Sequence, residues 1–274
     1  MKTRKYIEGG IGLVVCFFVF VLPFIFIALM AVKSKQEAAL MQFTLPAKIL
    51  LWDNLVEVIK ARDYMLLTAY VNSIIITVAS VTLLVLFGAM IGYVLQRRPS
   101  RTSNIIYSFA LAGLMIPPAV VPTIWVLQSL GLFKTISGMV LIQVAYGLAF
   151  SVLLYRAFIA SIPRELDEAA IIDGAKPLQI FFKVILPLLK PVTLTNVVVQ
   201  SVGIFNDFTN PLYYLPGKQN VTVQLTLYNF ISQFSSQFNL LFMNILLITI
   251  PPLLVFVFFN RQIVAGMTAG GVKG

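Results

Sequence analysis

The chain has 274 residues, of which 59% are apolar and 11% charged, and its mean hydropathy is +0.93. Soluble domains are about 45–50% apolar and about 25% charged, so lipid must be part of the solvent of this chain. The net charge of +10 lies in short basic segments between apolar runs, which indicates membrane orientation and excludes nucleic-acid binding. The single cysteine, Cys16, excludes an intrachain disulfide, and the lack of histidine removes the commonest general base and metal ligand.

Six segments are apolar enough to cross a bilayer, which takes about 20 residues. Backbone groups in lipid must find partners within the chain, so an all-α integral membrane fold with about six transmembrane helices is predicted. The fifth segment is the weakest, because it is short and carries three amides. The predicted spans are residues 11–32, 68–95, 105–130, 138–160, 191–206 and 240–260.

The lysine and arginine distribution predicts the orientation of the chain. If the N-terminus is cytoplasmic, thirteen of the twenty basic residues lie inside. This bias predicts a multi-pass protein of the plasma membrane with both termini cytoplasmic and the first span kept as a signal anchor. The connection 33–67 then lies outside and is expected to include a short surface helix.

Neutral polar side chains are the main polar groups within the spans. They suit hydrogen bonding to a neutral polyol, although interhelical contacts within the protein explain them equally simply. The third span also carries Pro117, Pro118 and Pro122, which disfavour a straight helix and leave open a cavity lining or a packing kink. The candidate pathway residues are Asn72, Gln143, Tyr146, Gln200, Asn206 and Asn244.

Two kinds of chemistry are missing from the sequence. Gly217-Lys218 lacks the other residues of a phosphate-binding loop, so ATP hydrolysis by that route is excluded. Charged residues are nearly absent from the span interiors, which counts against an ion-coupled secondary transporter. A membrane enzyme is disfavoured because no reactive group of side chains is evident, and no metal site is predicted.

A capped helix is predicted in the cytoplasmic connection 161–190. Pro163 suits a first helical position, and acidic residues favour the turns that follow. Gly174 suits the left-handed residue that ends a helix, so the helix is expected at about residues 163–173, and Pro177 begins a second one. The small Ala169 and Ala170 are expected to let a partner surface approach closely.

This segment, Glu168-Ala-Ala-Ile-Ile-Asp-Gly-Ala175 followed by Phe182-Lys-Val-Ile-Leu-Pro187, closely resembles the EAA loop of ABC importer permeases. Phe205-Asn-Asp-Phe208 with Pro211-Leu212 resembles a motif of carbohydrate permeases, although Phe205 replaces the usual Trp. The end of the chain, Thr268–Gly274, is similar to the tail of the smaller permease subunit of maltose transporters. The resemblance covers nearly the whole chain and implies one permease domain, residues 1–274, with core helices at about 68–260 and a cytoplasmic tail at 261–274.

The resemblance implies an importer assembled from several subunits. A second homologous permease would form a heterodimer with this chain, two ATPase subunits would bind ATP and Mg, and an extracytoplasmic solute-binding protein would deliver sugar. No cofactor is expected in this chain, which would be a non-catalytic transport subunit. The implied ATPase-coupling residues are Glu168, Ala169, Ala170, Asp173, Gly174 and Ala175, and the implied ATPase-contacting tail is Gly270, Gly271, Val272, Lys273 and Gly274.

The loop 207–239 corresponds to the one that reaches into the solute-binding protein. Its candidate contacts are Asp207, Tyr213, Tyr214, Gln219 and Asn220. An ABC permease for another solute, such as glycerol phosphate, is an alternative. Such an anion should meet intramembrane Arg or Lys, and this chain carries none at depth.

Overall fold

The computed structural model describes residue 12, residues 14–231 and residues 236–271, with side chains through residue 259. All regular elements within these residues are helical, so the predicted all-α fold is confirmed for them. In chain order they are α1 (Val14–Ala31), α2 (Lys35–Ala39), α3 (Leu51–Arg97), α4 (Arg101–Met115), α5 (Val120–Ser129), α6 (Ile136–Ile159), α7 (Glu165–Ile172), α8 (Pro177–Leu188), α9 (Lys190–Phe205), α10 (Thr209–Tyr214), a 3-10 helix (Val223–Asn229) and α11 (Phe238–Gly271).

Four helices of the described chain are individually long and apolar enough to cross a membrane, namely α1, α3, α6 and the part of α11 at Phe238–Phe259. The third and fifth predicted spans are instead bent pairs. Helices α4 and α5 meet at 118°, and α8 and α9 meet at 76°. The number of spans is therefore six only if each bent pair is one span.

The break between α4 and α5 follows from the prolines. Ile116 precedes Pro117 and adopts an extended conformation, with φ −82° and ψ 121°. Helical backbone angles are disfavoured for the residue before a proline, and a proline has no amide hydrogen to donate to the helical hydrogen bonds. The sequence prediction of an interrupted third span is confirmed.

Helix α3 also contains an interruption. Its 47 residues include non-helical dihedral angles at Ala61, Arg62, Asp63 and Tyr64, of which the last three have positive φ. The residues before Ala61 form a short separate piece, and the long apolar piece follows Tyr64. The connection 33–67 thus contains two short helical pieces, α2 and the first piece of α3, where one short surface helix was expected, and their place on a membrane surface stays a prediction.

Contacts group the chain into two compact units. One contains residues 1–70 and 222–250, and the other contains residues 71–221 and 251–274. The second unit has two apolar clusters. The first gathers α3, α6 and α10 around Leu84, Met139 and Tyr214, and the second gathers α6, α7 and α8 around Tyr155 and Phe181. The prediction of a single permease domain stays a prediction.

Two glycines let α3 and α6 approach closely. A Cβ built on Gly88 would lie 2.8 Å from Cβ of Ser151, and one on Gly92 would lie 2.9 Å from Cβ of Tyr155 and 3.0 Å from the backbone nitrogen of Arg156. Small residues four apart are a common device for close helix packing in membranes. The spacing Gly88-x-x-x-Gly92 was not used in the sequence analysis, and it identifies this contact.

We expect Gly92→Val to destabilise the protein, because the new side chain meets backbone atoms that cannot move aside. Overpacking of this kind costs about 1–3 kcal/mol. The measurement is the thermal unfolding temperature of the purified chain in detergent. Gly113→Val is the matched control, since Gly113 is also helical and no atom lies within 4 Å of its added Cβ. Equal unfolding temperatures for the two variants would contradict the proposed close contact.

Candidate functional site

Helix α7 is closed at its C-terminal end by two backbone hydrogen bonds around a left-handed glycine. Gly174 has φ +79°. Its amide donates to the carbonyl of Ile171 at 3.0 Å, and the amide of Ala175 donates to the carbonyl of Ala170 at 2.9 Å. This is the Schellman arrangement, which favours glycine at the left-handed position. The predicted end of the helix is confirmed.

The start of α7 differs from the prediction. The helix begins at Glu165, and Arg164 precedes it, so Pro163 is not the first helical residue. The carbonyl of Arg164 accepts from the amides of Asp167 and Glu168. Glu165, Asp167 and Glu168 occupy the first turn, where unpaired amides and the helix dipole favour negative charge. The acidic first turn is as predicted.

The two faces of α7 have different surroundings. Ala170 is only 8% exposed and packs with Ile180 and Phe181 of α8, so its small size serves contact within the chain. The expectation that Ala170 lets a partner approach is therefore wrong, whereas Ala169 is exposed. The exposed face also carries Ile172, whose side chain is 86% exposed, and this residue was missed by the sequence analysis.

Asp167 ties α7 to the end of α3. An oxygen of its carboxylate lies 2.9 Å from a guanidinium nitrogen of Arg97, and both side chains are largely buried. The hydroxyl of Tyr93 donates to the other carboxylate oxygen at 2.5 Å. Arg97 also donates to the carbonyls of Ile162 at 3.0 Å and Pro163 at 3.3 Å. We call Tyr93, Arg97 and Asp167 the α3–α7 tie.

The α3–α7 tie was not found from the sequence. Its signal is the spacing of Tyr93 and Arg97, which are four residues apart and therefore share one face at the end of α3. A cavity of about 620 Å³ lies beside the tie, between the last turns of α3 and the helices α7 and α8. Its lining includes Arg98, Arg164, Glu168 and Phe181.

Three of the six candidate pathway residues lie on α6 and α9. The amide of Gln143 donates to Asp207 at 2.6 Å, and the hydroxyls of Tyr146 and Tyr214 are 3.1 Å apart. Gln200 donates to the carbonyl of Gly147 at 3.2 Å and to the hydroxyl of Ser151 at 3.3 Å. These amides therefore already hold contacts within the chain.

The other three candidates lie on α3, at the C-terminal end of α9 and on α11. Asn72 donates to the carbonyl of Val221 at 3.0 Å, and Asn206 is exposed at the end of α9. Asn244 is buried in the other unit, where it donates to Thr226 at 2.9 Å. The role of the six residues in solute passage stays a prediction.

The candidate contacts for a solute-binding protein differ in accessibility. Tyr214 is 1% exposed and packs in the apolar cluster around Leu84 and Met139. The expectation that its side chain contacts a solute-binding protein is therefore wrong. Asp207 is partly buried and accepts from Asn210 at 2.6 Å as well as from Gln143. Asn220 donates to the carbonyl of Lys134 at 2.6 Å, while Tyr213 and Gln219 are exposed.

The predicted tail is described only in part. The backbone of Gly270 and Gly271 ends helix α11. Val272, Lys273 and Gly274 lie outside the described residues. The predicted contact of this tail with an ATPase stays a prediction.

Residues 84–269 match the family model described as binding-protein-dependent transport system inner membrane component. The chain belongs to this family. The match includes α7, α8 and the end of α3, so the α3–α7 tie lies within the family's shared region. The resemblance to ABC importer permeases in the sequence analysis is confirmed, and so is the assignment to a membrane transport subunit.

Two relatives of the chain bear sugar-transport names. The chain is 31% identical to a probable starch degradation products transport system permease protein of Thermoanaerobacterium thermosulfurigenes, covering 100% of this chain and 98% of that one. It is 32% identical to a melibiose/raffinose/stachyose import permease protein of Bacillus subtilis, over 75% of this chain and 76% of that one.

A solved structure shares the fold. The chain matches a subunit of a bacterial ABC transporter involved in the import of the acidic polysaccharide alginate, with a TM-score of 0.80. The match covers 95% of this chain and 97% of that chain at 23% identity. The predicted permease fold is confirmed.

We expect Asp167→Asn to loosen α7 from α3, because the amide cannot form the ion pair with Arg97. Hydrogen bonds to charged groups contribute about 1.5–3 kcal/mol each, so a loss of this order is expected. Tryptic cleavage after Arg164 should become faster, and the unfolding temperature should fall. Glu165→Gln is the control, since this exposed acid lies in the same turn. Identical cleavage rates in both variants would contradict the tie.

Proposed function

We propose that this chain is the transmembrane subunit of an ATP-driven oligosaccharide importer, in which α7 receives motion from partner ATPase subunits. The observation that carries this proposal is the combination of an exposed α7 face with the buried α3–α7 tie. Exposure makes α7 accessible to a partner, and the tie connects it to a membrane-spanning helix. The ATPases, which would bind ATP and Mg, supply the energy.

The proposed path of the motion has two branches. One passes from α7 through Asp167 to Arg97 and Tyr93, and hence to α3. The other passes along the chain through residues 160–164 to α6. The two branches meet where Gly88 and Gly92 hold α3 against α6. Interiors this closely packed transmit displacement because they resist deformation. A displacement of α7 would therefore move both helices together.

The contact surface on α7 is partly apolar. Glu168 and Asp173 are exposed beside Ile171 and Ile172. Ile171 and Ile172 are 61% and 86% exposed, and isoleucines so placed beside acidic residues favour burial against a partner, because aliphatic contact excludes water from the neighbouring charges. We infer that the cleft on the ATPase side presents a basic group to Glu168 and an apolar rim to Ile172.

An oligosaccharide is the solute class that the chain supports best. The sugar names of its relatives favour this class. The neutral side chains of Gln143, Gln200 and Tyr146 suit a neutral solute, and each would exchange its present contact within the chain for a sugar hydroxyl. An anionic solute is disfavoured near Gln143, because the carboxylate of Asp207 lies 2.6 Å from its amide. A second permease would pair with this chain, and a solute-binding protein would dock at the opposite side, with both termini cytoplasmic.

The test is charge reversal at Glu168. Losing a buried charged contact at an interface costs about 2–5 kcal/mol, which corresponds to about 30-fold or more in affinity. Glu168→Lys should reduce co-purification of the ATPase subunits and sugar uptake by at least this factor. Ile172→Asp should have a similar effect. Unchanged uptake together with unchanged ATPase co-purification in both variants would sink the proposal.

Glu165→Lys serves as the control for this test. It reverses a charge in the same turn of α7, but Glu165 precedes the segment that resembles the EAA loop. Uptake should stay near the unmodified level. A loss equal to that of Glu168→Lys would show a general charge effect on the helix rather than a specific contact.

A further inference from the structure

The connection between α1 and α3 exposes large apolar side chains in an ordered loop. Leu45 is 84% exposed and Trp52 is 71% exposed, and both lie in the unit that contains α1. Leu40, Phe43 and Ile49 are also more than half exposed. We call Leu40, Phe43, Leu45, Ile49 and Trp52 the apolar strip. Single exposed apolar residues are ordinary, whereas a strip of five within thirteen residues indicates an interaction surface.

Polar groups form the inner frame of this loop. Lys33 is 1% exposed, and its ammonium group donates to the carbonyl of Gln42 at 2.8 Å and to the hydroxyl of Thr44 at 3.1 Å. The carboxylate of Glu37 accepts from the amide of Ala47 at 2.9 Å and from the amide and hydroxyl of Ser34. The amide of Ala47 is the main reason that the pKa of Glu37 is lowered. The loop thus encloses the charge of Lys33 and exposes large apolar side chains, while Lys35 and Lys48 are exposed as well.

The height of the strip in the membrane follows from contacts with the end of α1. The amide of Leu50 donates to the carbonyl of Val32 at 2.8 Å. The side chain of Asn54 donates to the carbonyls of Ala31 at 2.7 Å and Lys33 at 3.0 Å. Since α1 is a membrane span that ends at Ala31, the first turn of α3, with Trp52, lies at the membrane boundary.

The composition around the strip matches that boundary. Tryptophan concentrates at membrane–water interfaces, where its ring prefers the headgroup level. Lys48 and Lys60 are exposed on either side of Trp52 along the chain, and lysines at this level favour phospholipid headgroups.

We propose that residues 40–52 form an interfacial anchor, in which the apolar strip lies in the headgroup region of the phospholipid bilayer. The hydrogen bonds of the buried Lys33 and of the partly exposed Glu37 hold the loop in shape, and the strip rests on lipid beside α1. The anchor sets the depth at which α1 ends and the first piece of α3 begins. It does not depend on the solute or on the ATPase contact at α7.

The test measures how often a spin label on the strip collides with two paramagnetic agents, oxygen, which enters lipid, and a water-soluble nickel complex, which does not. Cys16 is replaced by Ser, because it is exposed and would take the label. Leu45→Cys, Ile49→Cys and Trp52→Cys are then labelled one at a time in the assembled importer, whose other subunits carry no reactive cysteine, in phospholipid vesicles. Gln36→Cys, at an exposed polar position on α2, is the matched control. Each labelled importer is first checked for sugar uptake.

Labels on the strip should be accessible to oxygen and poorly accessible to a water-soluble nickel complex, at depths of about 5–10 Å. The label at Gln36 should show the opposite preference. High nickel accessibility along the strip would place it in water and overturn the proposal. Low accessibility to both agents would place it against a protein subunit and overturn it equally. Should Trp52→Cys fail to fold, Leu45 and Ile49 give the same measurement.

Discussion

The contact of Asp167 with Arg97 and Tyr93 is the interaction on which the arrangement of the cytoplasmic helices depends. Helix α7 has only eight residues, and short helices are marginal in water without tertiary support. Its support comes from Ala170 packed against α8 and from a carboxylate held by two residues at the end of α3. Arg97 joins the same group to the carbonyls that precede α7. Contacts on the side of α7 and contacts to the residues that precede it therefore both fix the position of the helix.

This arrangement separates positioning from partner contact within one short segment. Asp167 and Ala170 face the chain, while Glu168, Ala169 and Ile172 face outward. Neighbouring residues can have different tasks because successive side chains on a helix point about 100° apart. The acidic first turn is thus not one uniform surface. Asp167 is paired with Arg97 and Tyr93 within the chain, whereas Glu165 and Glu168 remain exposed.

Many polar side chains of the described chain find partners within the protein, and this constraint explains several departures from simple spans. At Ile116 the backbone leaves the helix because Pro117 prevents its continuation. Gln143, Gln200 and Asn244 each hold a partner within the protein. The loop after α1 buries Lys33, whose ammonium group donates to Gln42 and Thr44. A lipid environment favours such pairing, since an unsatisfied polar group there costs several kcal/mol.

The sequence by itself determined the features that depend on neighbouring residues. The apolar runs predicted the membrane helices, the prolines predicted the interrupted third span, and Gly174 predicted the end of α7, because each effect acts within a few residues. Tertiary structure alone decided which side of α7 Ala170 occupies, that Tyr214 is buried, and that Gln143 meets Asp207, 64 residues away. It also brought Arg97 to Asp167. Such pairings depend on how helices distant in sequence pack, and no local pattern carries that information.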